Sequence, residues 1–342
     1  MTDKKTFFPA EWAKQDFVQM TFPNSDTDWA YMLDEVNECF VHIAYEIAKR
    51  QKLLVVCKSA TQTGNLLKNC NLSNVVFFEC AINDTWARDH AAITVVENGI
   101  RTLLDFTFNG WGLKFPANHD NLITNQLVSK NIFGKNTLYK DCRNFVLEGG
   151  SIETDGEGTM LTTEKCLLSE NRNYLKKKEI EDKLKLFFGV SRILWLKSGS
   201  LKGDDTDSHI DTLARLCPND TIVYVKCGDK NSDHFFELQK METELRNFRT
   251  LNAKPYNLVP LPLPAPIFDS NANRLPATYA NYLIINGAVL VPVYNTQEDE
   301  TACSRLQELF PDREIVAINC LPLIKQHGSL HCLTMQFPVC PT

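Results

Sequence analysis

The sequence of 342 residues contains no C-x-x-C pair, and its twelve cysteines follow no regular spacing, which argues against a zinc ribbon or a disulfide framework. Most of them fall in apolar runs such as residues 53–57 and 75–80, so buried, reduced thiols are expected. No run is long and apolar enough to span a membrane. The opening residues lack the apolar core of a signal peptide before Pro9 and Glu11. Together these absences predict a cytoplasmic protein. Excess positive charge is missing too: 36 Lys+Arg stand against 42 Asp+Glu, for a formal charge of -6. That balance speaks against a nucleic-acid surface and suits a cationic small substrate. Nor does a linker rich in Gly, Ser or Pro divide the chain. The proline-dense residues 259–266 are too apolar for one and are expected to cross the core as an extended segment. A single domain over residues 1–342 follows.

What is present is alternation. In residues 29–50 the apolar Met32, Leu33, Val36, Phe40, Ile43, Ala44 and Ile47 recur at three- and four-residue steps, predicting an amphipathic helix capped by Asp26 or Asp28. Strands are predicted at 53–57 and 75–80, with a short helix near 64–69 between them. Asn98-Gly99 and Asn286-Gly287 each separate two apolar segments, and Asp155-Gly156 precedes another; these are hairpin signals. Helical stretches at 171–188, 232–251 and 296–310 lie between strands at 192–196, 221–227 and 314–320. The chain thus reads as an α/β protein of repeated hairpin-plus-helix units.

Four polar constellations interrupt this pattern. Trp86-Ala87-Arg88-Asp89 heads a strand. Glu148-Gly149-Gly150 follows one, with glycines that admit a close neighbour. In the run from Asp204 to Asp211, His209 and Asp211 would share a face of extended chain. Cys332 follows a Gly-Ser turn and is expected on a short strand, where a thiol keeps a fixed attack geometry. Each has a plain alternative: a surface ion pair, a loop after a strand, a solvated acidic turn, a small buried residue. As a set, a thiol, an imidazole and several acids at strand ends point to one convergent site. A thiol with a histidine alone would fit acyl transfer, which requires an oxyanion hole. Several acids would repel an oxyanion, but they grip a planar guanidinium in bidentate fashion. Thiol attack on a guanidinium carbon is therefore the favoured chemistry.

These motifs, with Phe8-Pro9-Ala10-Glu11-Trp12, Thr21-Phe22-Pro23, Phe108-Asn109-Gly110-Trp111-Gly112 and Gly328-Ser329-Leu330-His331-Cys332-Leu333-Thr334, resemble in order the agmatine deiminases. Those belong to the guanidine-modifying enzymes, which include the Porphyromonas-type peptidylarginine deiminases. The resemblance implies an α/β propeller (pentein) with pseudo-fivefold ββαβ modules around a central active site. It implies hydrolysis of agmatine to N-carbamoylputrescine and ammonia, a step toward putrescine, through a covalent amidino-thioether. Cys332 would be the nucleophile and His209 the acid/base. Asp89 and Asp211 would grip the guanidinium, and Glu148 would be the acid beside His209, also facing the substrate. Trp86 would wall the methylenes, and Asp205 would stand near the distal amine. No metal or cofactor is implied, and a homodimer is left open.

Three positions depart from the family pattern. Ser208 replaces a usual glycine, Asp205 is one methylene shorter than the usual glutamate, and His90-Ala91-Ala92 stands where Gly-Pro is usual. The shorter acid bears on agmatine specificity more than on deimination. The alternatives are deimination of peptidyl arginine, amidino transfer to an amine, and guanidine binding without turnover.

Overall fold

The computed structural model describes residues 6–340. Its strands form five separate sheets, two of four strands and three of three. In every sheet an antiparallel pair is followed, through a helix, by a parallel strand. Ile93–Glu97 and Ile100–Thr107 form one pair, and Asp120–Ser129 leads from it to Thr137–Val146. The pair Ile152–Thr154 and Thr159–Thr163 is followed by Lys177–Phe188 and then Arg192–Leu196. Ala214–Cys217 and Thr221–Lys226 continue through Phe235–Asn247 into Asn257–Pro262. Leu283–Ile285 and Ala288–Val293 continue through Glu298–Leu309 into Glu314–Asn319. The fifth sheet joins the two ends of the chain: Thr334–Pro338 lies antiparallel to Gln15–Thr21, and Leu33–Ala48 carries the chain to Lys52–Cys57.

Local sequence explains these elements. Asn98 and Gly99, at φ 52° and 80°, make the tight turn that matches strand twist. Asn219 and Asp220, at φ 60° and 52°, do the same without a glycine, because Asn and Asp tolerate the left-handed region. Leu33–Ala48 buries Val36, Phe40, Ile43, Ala44 and Ile47 along one face and carries Asp34 and Glu35 in its first turn, where the helix dipole favours acids. Neither Asp26 nor Asp28 caps it; the helix is entered through a 3-10 turn, Ala30–Met32, with no side-chain cap, and Asp26 pairs with Lys58. The proline-dense stretch is a strand at a sheet edge, Asn257–Pro262, where Pro260 and Pro262 are tolerated.

A single-turn helix precedes the first strand of every antiparallel pair: Ala87–His90, Gly149–Ser151, Ile210–Thr212, Tyr279–Asn281 and His331–Leu333. The first four and the last touch one another in succession: His331–Leu333 meets Ala87–His90, which meets Gly149–Ser151, and so on to Tyr279–Asn281. Asn281 hydrogen-bonds back to His331 and Cys332. The polar constellations of the sequence lie on or beside these turns.

Candidate active site

Cys332 sits in the turn His331–Leu333, two residues before the strand that begins at Thr334 rather than on it. A 3-10 turn aims its sulfur inward between neighbouring units, which an alternating strand position would not do. Its Sγ lies 3.9 Å from Asp211 Oδ2 and 3.3 Å from Asn281 Nδ2. Asn281 Oδ1 also accepts from the His331 backbone N–H at 2.9 Å. Burial, then Asp211 and Asp89, push the Cys332 thiol well above its ordinary pKa.

Gly150 is the point of closest approach. A Cβ there would stand 2.6 Å from His209 Nδ1 and 3.0 Å from both Asp211 Oδ2 and Asp89 Oδ1; only glycine fits. The Gly150 N–H donates to Asp89 Oδ1 at 3.0 Å, and the Trp111 indole N–H donates to Asp89 Oδ2 at 2.9 Å. Burial raises Asp89 to about 6 despite the opposing pull of His209. His209 is fully buried and neither ring nitrogen has a hydrogen-bond partner; its Nδ1 is 3.7 Å from Asp89 Oδ1. Burial pulls its pKa down, but Asp89, Cys166 and Glu148 outweigh that and raise it well above the ordinary value. His209 and Asp211 do converge, although through a turn beginning at Ile210 and not through a shared face of extended chain.

Behind Cys332 lies a buried charged network. His331 Nδ1 is 2.7 Å from Asp211 Oδ2 and its Nε2 is 2.8 Å from Glu11 Oε2. Arg215 pairs with Glu11 and, at 2.7 Å, with Glu153. Burial works against ionised Asp211, yet the hydrogen bond and charge of His331 hold its carboxyl below the usual range. Both oxygens of Glu148 accept from Arg172 Nε, at 3.0 and 3.1 Å, and Arg172 also donates to Asp207 at 2.7 Å. Glu148, Cys166 and His209 offer ligand atoms within 4.8 Å of one another, but the Arg172 guanidinium seated on Glu148 opposes a cation there.

A cavity of about 160 Å³ opens onto Cys332, lined by Trp86, Asp89, Trp111, Asp205 and Gly328 among others. The Trp86 ring packs so closely on Gly328 that a Cβ there would stand 2.2 Å from it. Asp28, Asp84 and Asp205 also line the cavity. Burial raises Asp84 to about 6; it also raises Asp205, where His327 opposes. The structure thus brings Cys332, Asp89, Trp86 and Asp205 to one cavity wall, with His209, Asp211 and Glu148 buried behind it. Read for motifs, the sequence marks none of Asn281, Arg172 and Arg215 as a site residue, and Trp111 and Glu11 stand in it only within longer motifs, with no role attached. The signal for Asn281 was its place before a hairpin strand, the place that Asp89, Asp211 and Cys332 hold in their own units.

The family model for Porphyromonas-type peptidyl-arginine deiminase matches residues 7–338, and the chain belongs to that family. It is 32% identical to the agmatine deiminase of Pseudomonas syringae pv. tomato, over 96% of this chain and 95% of that one. Among solved structures it resembles a candidate arginine deiminase of Porphyromonas gingivalis (52% identity, TM-score 0.94, 98% of both chains). It also resembles a cysteine-to-serine variant of C. jejuni agmatine deiminase with substrate bound (38% identity, TM-score 0.91, 98% of this chain and 97% of that one). Its α/β fold is the one these enzymes share.

Proposed function

We propose that the protein is an agmatine deiminase, hydrolysing agmatine to N-carbamoylputrescine and ammonia, and that residues 1–342 form one catalytic domain whose five units close as a pseudo-fivefold propeller. The observation that carries the reading is the Cys332 sulfur at the end of a cavity walled by Trp86 and Trp111 and ringed by carboxylates. Such a cavity favours a flat cation with an apolar stem.

In this reading Asp89 and Asp211 bind the guanidinium and Trp86 packs on its methylenes. In the free enzyme the acids keep the thiol protonated. The arriving guanidinium offsets their charge, so the thiol releases its proton to solvent and the thiolate becomes favourable as substrate binds. Sulfur attacks the guanidinium carbon and a tetrahedral adduct forms. The C–N bond then breaks, with His209 giving its proton to the departing ammonia. That leaves an amidino-thioether. His209, now neutral, takes a proton from water as the water adds to the same carbon, and the C–S bond breaks as the adduct's hydroxyl proton passes to the departing sulfur, restoring the thiol and freeing the ureido product. Glu148, held by Arg172, stands beside the imidazole and fixes the wall behind it. Asp205, with Asp28 and Asp84, receives the distal ammonium.

Peptidyl arginine is the second reading, favoured by a groove of about 610 Å³ that shares Asp28, Asp84 and Phe115 with the cavity. Mass spectrometry of products from agmatine, free arginine and peptides with C-terminal arginine separates the two. Agmatine is expected to release ammonia and N-carbamoylputrescine, and Cys332→Ala to lower that rate at least ~1,000-fold, the scale of losing a covalent nucleophile. Turnover of the peptides without agmatine would move the assignment.

A further inference from the structure

The segment after Phe108 has a backbone that needs a reason. Gly110, Trp111, Gly112 and Leu113 all have positive φ, at 65°, 56°, 90° and 68°. A left-handed turn strains non-glycine residues, and strain of this kind persists where the surroundings over-determine it. Here they do. Asn109 accepts from the Gly112 N–H at 2.8 Å and donates to the Asn171 carbonyl at 2.7 Å. Lys114 donates to Asp207 at 2.8 Å and also to the Asp205 carbonyl. Trp111 is clamped edge-on between Phe108 and Phe115, with ring centroids 4.9 and 5.5 Å away.

The result is one directed group. The Trp111 indole N–H reaches Asp89 Oδ2 at 2.9 Å, while the ring lines the cavity beside Cys332. Asp89 is buried and near His209, Asp211 and Glu148; its other oxygen is held by the Gly150 N–H at 3.0 Å. A donor to the ionised form lowers a carboxyl pKa. Without Trp111 the Gly150 N–H would be the one hydrogen-bond donor left to Asp89 among the described residues, with His209 the charge that still favours its ionised, guanidinium-binding form.

We propose that Trp111 is a positioning residue of the reaction, holding Asp89 ionised and turned toward the guanidinium, and that the left-handed turn Gly110 to Leu113 exists to aim it. The inference rests on the deiminase reading. Its test is the pH profile of kcat/KM for agmatine in wild type and Trp111→Phe, which keeps an aromatic wall and removes the N–H. The variant is expected to fall ~10-fold or more near pH 6.5 and to recover most of that loss by pH 9, because Asp89 then ionises only at higher pH. Gly112→Ala, which strains the turn at φ 90° and presses on Asn171 without touching the cavity, is expected to shift the same acid limb upward. A uniform fall across pH, or an unchanged acid limb, in folded Trp111→Phe would overturn the proposal. Absence of guanidine turnover by wild type would instead overturn the reading on which it rests.

Discussion

At the scale of single residues, the site is governed by what burial does to charge. Asp84 and Asp89 are raised to about 6, and Cys332 is raised well above its ordinary value. A pocket of uncompensated acids and a protonated thiol is costly until a cation enters. The same physics sets the consequence of His90. It is buried, its Nε2 is 3.3 Å from Thr21 Oγ1, and its Nδ1 has no partner. Burial lowers its pKa to about 3. The folded chain therefore binds fewer protons there than the unfolded chain between its ordinary value near 6.5 and pH 3. Stability falls as pH drops through that window, by up to ~1.4 kcal/mol per unit. His90→Gln is expected to flatten the pH dependence of the urea midpoint between pH 6.5 and 4. Parallel curves for variant and wild type would show that His90 carries no such linkage.

At the scale of elements, the single-turn helices before the hairpins carry Asp89, Gly150, Asp211, Asn281 and Cys332, and Gly150 sets how closely Asp89, Asp211 and His209 meet. Gly150→Ala puts a methyl into the space between His209, Asp211 and Asp89. Activity is expected to drop at least ~100-fold, since ångström-scale misplacement costs about that much. Circular dichroism should stay near wild type while the thermal midpoint falls, since overpacking a buried site costs about 1–3 kcal/mol; a variant with full activity would show that the three groups need not converge there. Much of this was legible beforehand. The helix Leu33–Ala48 followed from its apolar spacing, the hairpin at Asn98-Gly99 from its turn residues, and Cys332, His209 and Asp89 from their polar settings between apolar strands. The strand Gln15–Thr21 was not, because it lies inside a four-stranded sheet, is buried along nearly its whole length and does not alternate. Only the apolar end of Thr137–Val146, before Glu148, was legible, because Lys140, Asp141 and Arg143 interrupt the rest. Trp111, Arg172 and Asn281 act by hydrogen bonds to groups far along the chain, and spacing carries no trace of such partners.

At the scale of the whole molecule, the fold works by bringing distant sequence to one place. Glu11 near the start, Glu153, Arg215, His331 and Asp211 share one buried network, and the two ends of the chain pair in one sheet. Removing one partner of a buried pair typically costs about 3–5 kcal/mol, so the network both fixes the ends and holds Asp211 beside the sulfur. The central claim is that this convergence makes Cys332 a nucleophile toward a guanidinium carbon. Rapid acid quenching during agmatine turnover, followed by peptide mass mapping, tests it most directly. The account predicts an amidino adduct on the peptide bearing Cys332, absent from Cys332→Ala. Steady release of ammonia with Cys332 unmodified at every quench time, and retained in Cys332→Ala, would contradict it.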